Sequence, residues 1–323
     1  MDYSNIFYAI ILMLIIPIGL YFYINITELL SPKISKKSKK SIAPWFWIAP
    51  ALIILIVFLV YPVINTFMLS FMNANSTKFI GLDNYKFIFT DEKMLVALRN
   101  NLIWVVFFTF ITVSMGICLA VITNAVKYEI AVKAIIFLPS AISFVAAGVI
   151  WKFMYAYKPA GEAQIGTLNA LLSIFMKNFK PQAWLFNPTL NNWALIIVGI
   201  WIWTGYAMII LSAGLKGIPN SILEAARIDG ANNLTIFLKI ILPMLSNTIT
   251  VVTTTLIIMV LKIFDIVYVM TNGNLGTEVI ANRMYKEMFS ARNYGRASAI
   301  AIFLLFAIIP VMIINIKRFV RRK

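Results

Sequence analysis

Residues 215–243 read Leu-Lys-Gly-Ile-Pro-Asn-Ser-Ile-Leu-Glu-Ala-Ala-Arg-Ile-Asp-Gly-Ala-Asn-Asn-Leu-Thr-Ile-Phe-Leu-Lys-Ile-Ile-Leu-Pro, a partly charged stretch between two apolar runs at 193–213 and 244–270. Each run is about 20 residues or longer, the length of helix that crosses a hydrocarbon core of about 30 Å. A polar segment between two such runs is a loop held at one face of a membrane. Within it, Pro219 followed by Asn220 and Ser221 predicts a helix start. Proline gives up an amide donor, and Asn or Ser can cap the free N–H groups. Ile222, Ala225, Ala226 and Asp229 then recur at helical spacing, and Gly230 suits the position after a helix where φ turns positive. A second short helix, with Leu234, Phe237, Leu238 and Ile241 on one side, is expected before Pro243 opens the next apolar run. The product is a helix–glycine–helix knob. Ala225 and Ala226 leave its surface small enough to enter a cleft, and Glu224, Arg227 and Asp229 offer charges to a partner. An interfacial helix lying on lipid has a similar pattern, although two acids fit an anionic surface poorly.

Outward from this loop, the rest of the chain reads the same way. Of 323 residues, 61% are hydrophobic and 12% charged, and the mean hydropathy is +0.89. A soluble protein carries about 25% charged residues, so this chain could not cover an aqueous surface. Apolar runs fall near 6–24, 46–72, 100–124, 134–154, 193–213, 244–270 and 297–315. They predict an all-α integral membrane protein with about seven transmembrane helices. The first run follows Met1-Asp2 with no basic residue before it, and is read as a span rather than a signal peptide.

Basic residues set the orientation. Lys33, Lys36, Lys37, Lys39 and Lys40 follow the first run, and Lys317, Arg318, Arg321, Arg322 and Lys323 follow the last. Positive clusters stay in the cytoplasm, which gives an N-out, C-in chain with 125–133, 214–243 and 316–323 inside. Residues 1–45 form an extra N-terminal helix and a basic cytoplasmic linker, and residues 46–323 form the main transmembrane domain. The excess of 28 Lys and Arg over 12 Asp and Glu would suggest nucleic acid in a soluble protein. Here it flanks spans and holds loops at the anionic leaflet, so no nucleic-acid partner is expected beside the lipid.

The chain has no His and a single Cys, Cys118, inside an apolar run where it reads as a small core residue. Disulfides, His-metal sites and His-based triads are excluded, and no G-x-x-x-x-G-K-[ST] occurs, so the chain has no P-loop. Pro50, Pro62, Pro139, Gly148, Gly199, Gly205 and Pro310 lie in or beside the runs. Membrane bundles tolerate them as kinks or as close-packing points. No internal repeat is evident, which weakens a secondary transporter built from inverted repeats.

The loop resembles the EAA signature of permease subunits of binding-protein-dependent ABC importers. Glu224-Ala225-Ala226, three residues, Gly230, nine residues, Ile240-x-Leu242-Pro243 meets every spacing. The likeness continues along the chain after residue 45. Gly81-Leu-Asp-Asn-Tyr85, Ala97-Leu-Arg-Asn100-Asn, Phe137-Leu-Pro139-Ser-Ala-Ile-Ser143 with Trp151, and Thr271-Asn-Gly273 with Tyr285, Phe289, Gly295 and Ala297 resemble the carbohydrate branch. Within it they resemble the first of its two permeases, the maltose-type subunit. Phe264-Asp-Ile-Val-Tyr-Val-Met-Thr-Asn-Gly-Asn and Val279-Ile-Ala-Asn-Arg283 look closest to α-glucoside or glucosylglycerol permeases. No loop here matches the large extracytoplasmic domain of enteric maltose permeases.

The resemblance implies a type I ABC importer permease bundle at the inner membrane. It implies a coupling helix of Glu224, Ala225, Ala226, Arg227, Asp229 and Gly230 that docks on a separate ATPase dimer. The implied partners are a second, similar permease, an extracytoplasmic solute-binding protein and a sugar. ATP and Mg would be held by the ATPase, with no cofactor, metal or catalytic group in this chain. It also places the sugar on the spans flanking the loop. There Trp203 and Tyr206 share one helix face, and Thr255, Met259 and Lys262 form a stripe at i, i+4 and i+7. Trp and Tyr also mark interfaces and simple packing. A charge such as Lys262 within a span costs roughly 2.5–3.5 kcal/mol. A local pair with Asp265 is favoured over direct sugar contact. An ion-coupled transporter or channel acting alone would need buried acids or His, and only Lys262 and Asp265 qualify. A membrane-embedded enzyme would need clustered His or carboxylates, which the sequence lacks.

Overall fold

The computed structural model describes residues 17–19, 21–27, 36–159, 161–176 and 179–320. Much of the expected span at 6–24, together with Lys33, Arg321, Arg322 and Lys323, lies outside the described residues. The chain divides into two units, Met1–Asn65 and Thr66–Lys323. The first carries most of α1 (Pro44–Leu69), a 26-residue apolar helix. Its turn at Ile56–Val60 is widened to the π form just ahead of Pro62. Proline lacks an N–H and its ring clashes with the carbonyl four residues back, and a wide turn before it relieves both problems.

The second unit runs through α2 (Asp83–Thr90), α3 (Glu92–Asn124), α4 (Glu129–Phe137), α5 (Phe144–Met154) and α6 (Thr167–Phe175). It continues with α7 (Asn191–Lys216), α8 (Asn220–Ile228), α9 (Asn233–Leu261), α10 (Asp265–Met270), α11 (Ile280–Tyr285) and α12 (Tyr294–Val320). Among the described residues the only extended pairing is an isolated bridge between Met72 and Phe79. Among the described residues, five helices are long and apolar enough to cross a membrane: α1, α3, α7, α9 and Tyr294–Lys317 of α12. Four of the expected spans, 46–72, 100–124, 193–213 and 297–315, fall on such helices.

The expected span at 134–154 is instead a pair of helices bent by 97°. Pro139 sits in a tight turn at Leu138–Ala141, and Ile142 and Ser143 are extended before α5 begins. A proline and an extended pair cannot carry an α-ladder through. Ser143 Oγ restarts it by accepting the Ala146 amide at 3.2 Å. Ser140 Oγ fixes the elbow by donating to the Ile202 carbonyl on α7 at 2.7 Å. The expected span at 244–270 is also displaced. There is no separate short helix ahead of Pro243, because a π turn at Phe237–Ile241 admits the proline and α9 runs unbroken from Asn233. It stops instead at Lys262, and α10 starts anew at Asp265.

The core of this unit forms around α7. Leu195, Ile202, Ala207, Met208 and Leu211 of α7, Trp104 and Phe108 of α3, and Val252 and Leu256 of α9 are fully or almost fully buried. In lipid the gain comes from close packing rather than from water exclusion. Gly205 shows how close: a Cβ there would lie 2.5 Å from the Ile136 carbonyl oxygen and 2.7 Å from Phe137 Cα. Gly205 therefore serves packing between α7 and the elbow. Trp104 is anchored by its Nε1–H donating to Asn192 Oδ1 at 3.1 Å.

Candidate functional site

The loop after α7 folds as a compact knob. Its first helix, α8, begins at Asn220 with Pro219 in the N-cap position, and neither Asn220 nor Ser221 serves as the capping residue that the sequence predicts. The Ile222 amide reaches back to the Pro219 carbonyl instead, at 3.2 Å. At its other end, the Gly230 amide donates to the Arg227 carbonyl at 3.1 Å and the Ala231 amide to the Ala226 carbonyl at 2.9 Å. Gly230 has φ +82°. This reciprocal pair is a Schellman ending, which needs a residue tolerant of positive φ at that point. Asn232 Oδ1 then caps α9 through the Thr235 amide at 2.8 Å. Ala226 is buried and anchors the knob, while Glu224, Ala225, Arg227, Asp229 and Gly230 are exposed. Ile228, at 86% exposure, and Leu234, at 65%, leave apolar surface beside those charges. The knob thus presents small, charged and apolar groups together.

A charged network braces the same end of the bundle. Lys133 of α4 donates to Asn124 Oδ1 of α3 at 2.6 Å and also contacts Glu129 and Ser212. Lys216, the last residue of α7, pairs with Glu129 at 2.6 Å, and Ser212 Oγ donates to Asn124 Oδ1 at 2.6 Å. The helix ends of α3, α4 and α7 are therefore joined immediately before the knob.

At the opposite end of α9, a cavity of about 220 Å³ is lined by Trp203 and Gly199 of α7, Met259, Lys262, Phe264 and Asp265. Trp104, Phe108, Phe144, Val260 and Ile263 complete its walls. Phe144 stacks on Trp203 with centroids 5.8 Å apart, and Tyr206 meets Trp203 edge-on at 5.5 Å. Three of the five residues expected on the substrate path, Trp203, Met259 and Lys262, thus line one cavity. Tyr206 supports it from behind, and Thr255 is not among its lining residues. The expected ion pair between Lys262 and Asp265 is not formed among the described residues. An i, i+3 pair needs a continuous helix. Here Lys262 ends α9 and Asp265 begins α10, across a break at Ile263 and Phe264.

Beyond the break, the outer loop is held by amide side chains. Asn100 Nδ2 donates to the carbonyls of Gly276 at 2.7 Å and Glu278 at 2.8 Å. Asn101 donates to the Leu261 carbonyl at 3.0 Å and accepts the Ile280 amide at 2.9 Å. Lys286 Nζ binds the Asn272 carbonyl at 2.6 Å and Glu278 at 2.7 Å, and Arg283 pairs with Glu287 at 2.8 Å. Around these lies an open basin of about 790 Å³, whose lining includes Tyr268, Arg283, Tyr285, Glu287, Phe289 and Ser290. The neighbouring Tyr268 phenol pushes the Tyr285 phenol above its usual range. Sequence reasoning quoted Asn100, Tyr285 and Phe289 as pattern residues without a role. The signal for the amides was two consecutive Asn beside an apolar run, where each must find a partner.

Residues 94–322 match the family model described as "Binding-protein-dependent transport system inner membrane component". The chain is 56% identical over 273 residues to the osmoprotective compounds uptake permease protein GgtC of Synechocystis sp., covering 84% of this chain and 97% of that protein. It is 44% identical over 282 residues to the alpha-glucoside transport system permease protein AglF of Rhizobium meliloti, covering 87% and 83%. A chain from the crystal structure of a bacterial ABC transporter involved in the import of the acidic polysaccharide alginate superposes with a TM-score of 0.75. That match has 24% identity and covers 89% of this chain and 98% of the other, which shows a shared fold.

Proposed function

The chain belongs to the family of binding-protein-dependent transport system inner membrane components, and from that premise we propose that it is the sugar-translocating permease subunit of an ATP-driven importer. The observation that carries this reading is the exposed knob, in which Glu224, Ala225, Arg227 and Asp229 surround a helix ended by Gly230. Such a knob fits a cleft on an ATPase subunit. Closure of an ATPase dimer on ATP would pull the knob, and α9, continuous from Asn233, would carry that motion to the cavity at Lys262. ATP and Mg belong to the ATPase in this scheme, and the chain supplies no nucleophile, base or metal. A second permease completes the pathway, and an extracytoplasmic binding protein delivers substrate.

The two relatives act on osmoprotective compounds and alpha-glucosides by name. The substrate class that suits both is a small glucoside, such as an α-linked disaccharide or glucosylglycerol. The cavity walls agree: Trp203 and Phe144 give flat apolar faces, and Lys262 and Asp265 give hydrogen-bonding groups. Reconstitution of the chain with its permease, ATPase and binding-protein partners tests the reading. Glu224→Lys is expected to insert and assemble normally, yet to lose the link between ATP hydrolysis and uptake of labelled glucoside. Normal uptake with normal ATPase stimulation in that variant would remove the coupling role.

A further inference from the structure

The cavity at Trp203, about 220 Å³, is smaller than the about 300–1,000 Å³ of pockets that enclose drug-sized ligands. The outer basin, about 790 Å³, falls within that range. Its aromatic residues form one connected group. Tyr268 and Tyr285 meet edge-on with centroids 5.1 Å apart, and Tyr285 and Phe289 lie 4.7 Å apart. Phe264 joins this group to the smaller cavity. It lines that cavity, stacks on Tyr268 at 5.0 Å and lies 5.2 Å from Tyr285.

Two polar atoms beside these rings are buried without a hydrogen-bond partner: Glu287 Oε2 and Arg283 Nε. Glu287 is 3% exposed and lines the basin, and its other oxygen already accepts from Arg283. Buried polar groups are as a rule hydrogen-bonded, so an orphan acceptor and an orphan donor on two residues that line one basin call for a ligand carrying both functions. The vicinal hydroxyls of a sugar carry both. The basic lining residues are not a free cationic patch. Lys286 is held by Asn272 and Glu278, and Arg296 lies over the Phe87 ring at 4.1 Å. A neutral polyhydroxyl ligand fits this arrangement better than an acidic protein segment.

We propose that the basin is a carbohydrate-reception subsite, separate from the cavity at Trp203. It takes a pyranose ring against Tyr268, Tyr285 and Phe289, with hydroxyls on Glu287 and Arg283, and passes it inward along Phe264. A pyranose presents a C–H face to an aromatic ring and hydroxyls at its edge, and tyrosine adds a polar tip to the apolar face. The proposal rests on the sugar-permease reading above and adds a second station to it.

The test uses the assembled transporter in nanodiscs, with maltose, sucrose and glucosylglycerol as probes for binding by saturation-transfer NMR and for uptake of the labelled sugar. Tyr285→Ala removes a ring, Tyr285→Phe keeps it, and Ser290→Trp fills the basin from an exposed position without removing any packing. The Ala and Trp variants are expected to bind the sugar about tenfold more weakly, the scale of one lost aromatic contact. The Phe variant is expected to stay near wild type. Wild-type binding in both Tyr285→Ala and Ser290→Trp overturns the subsite. So does a photo-crosslinker at Ser290 that captures only the binding protein while sugar contacts stay unchanged. In either case uptake by the wild-type complex leaves the permease reading standing. If the wild-type complex neither binds nor imports any of the three sugars, both readings fall.

Discussion

Replacing Gly205 by alanine is the most direct test of how the elbow positions the cavity. The added Cβ would lie 2.5 Å from the Ile136 carbonyl oxygen, so the elbow must retreat by 0.9 Å, the gap between 2.5 and the 3.4 Å at which ordinary contact begins. Both nearest atoms are backbone, and no side-chain rotamer relieves the clash. Overpacking of this kind costs about 1–3 kcal/mol. The Ser140 bond to the Ile202 carbonyl, 2.7 Å long, bridges the same gap, and its loss adds about 0.5–1.5 kcal/mol. The better helix propensity of alanine returns at most about 1 kcal/mol. A net loss of about 0.5–3.5 kcal/mol remains, equivalent to a fall of about 1–14 °C in the unfolding midpoint. The retreat also carries Phe144 away from Trp203, so on the proposed reading the concentration of sugar giving half-maximal uptake should rise. Thermal unfolding of the purified complex and uptake kinetics measure the two effects. Gly217→Ala is the milder comparison: its nearest neighbour is 3.3 Å away, only 0.1 Å inside ordinary contact, and its midpoint should fall far less. A Gly205→Ala protein with unchanged midpoint and unchanged uptake affinity would refute the argument.

Two other perturbations follow from the same geometry. Asn101→Leu orphans the Leu261 carbonyl and the Ile280 amide at about 1–3 kcal/mol for each buried group. Hydrogen exchange should rise at residues 271–280, and unchanged protection there would show that the amide is not what holds the loop. Glu129→Gln removes the charge shared by Lys133 and Lys216. More ATP should be consumed per glucoside imported, without loss of membrane insertion; an unaltered ratio would confine that network to local packing.

The helical class and most spans were legible because length and apolar character suffice to define a spanning helix. The knob was legible for a different reason: its glycine and alanines sit at positions where a Schellman ending and a narrow surface demand them. What composition could not show was where helices break. The run at 134–154 is predominantly apolar, with Lys152 near its end, yet Pro139 and the extended Ile142-Ser143 turn it by 97°. Conversely, Pro243 looked like a boundary and is absorbed by the wide turn before it. Lys262 and Asp265 looked like partners because sequence spacing assumes the helix continues between them. The outer basin was least legible of all. Its rings come from α10, α11 and the turn after α11, and only the tertiary fold brings Tyr268 to Tyr285.

The break after α9 bears on function as well as on prediction. At about 1.5 Å per residue, the 29 residues of Asn233–Leu261 extend about 43 Å, so one helix reaches from the knob to the far end of the bundle. On the proposed reading, a rotation applied at the knob would pass through the wide turn at Phe237–Ile241 and along the regular helix from Leu242 to Leu261. It cannot pass further, because the ladder stops at Lys262 and restarts at Asp265. The cavity is built across that interruption, with Met259 and Lys262 on one side and Phe264 and Asp265 on the other. On the proposed reading, motion of α9 would change the distance between the two sides of the cavity rather than move the cavity as a block. A continuous helix through 244–270 would have carried all four residues together and left nothing to open. On the proposed reading, the Glu224 variant interrupts the input to this lever, while the Gly205 variant disturbs the wall that α9 works against.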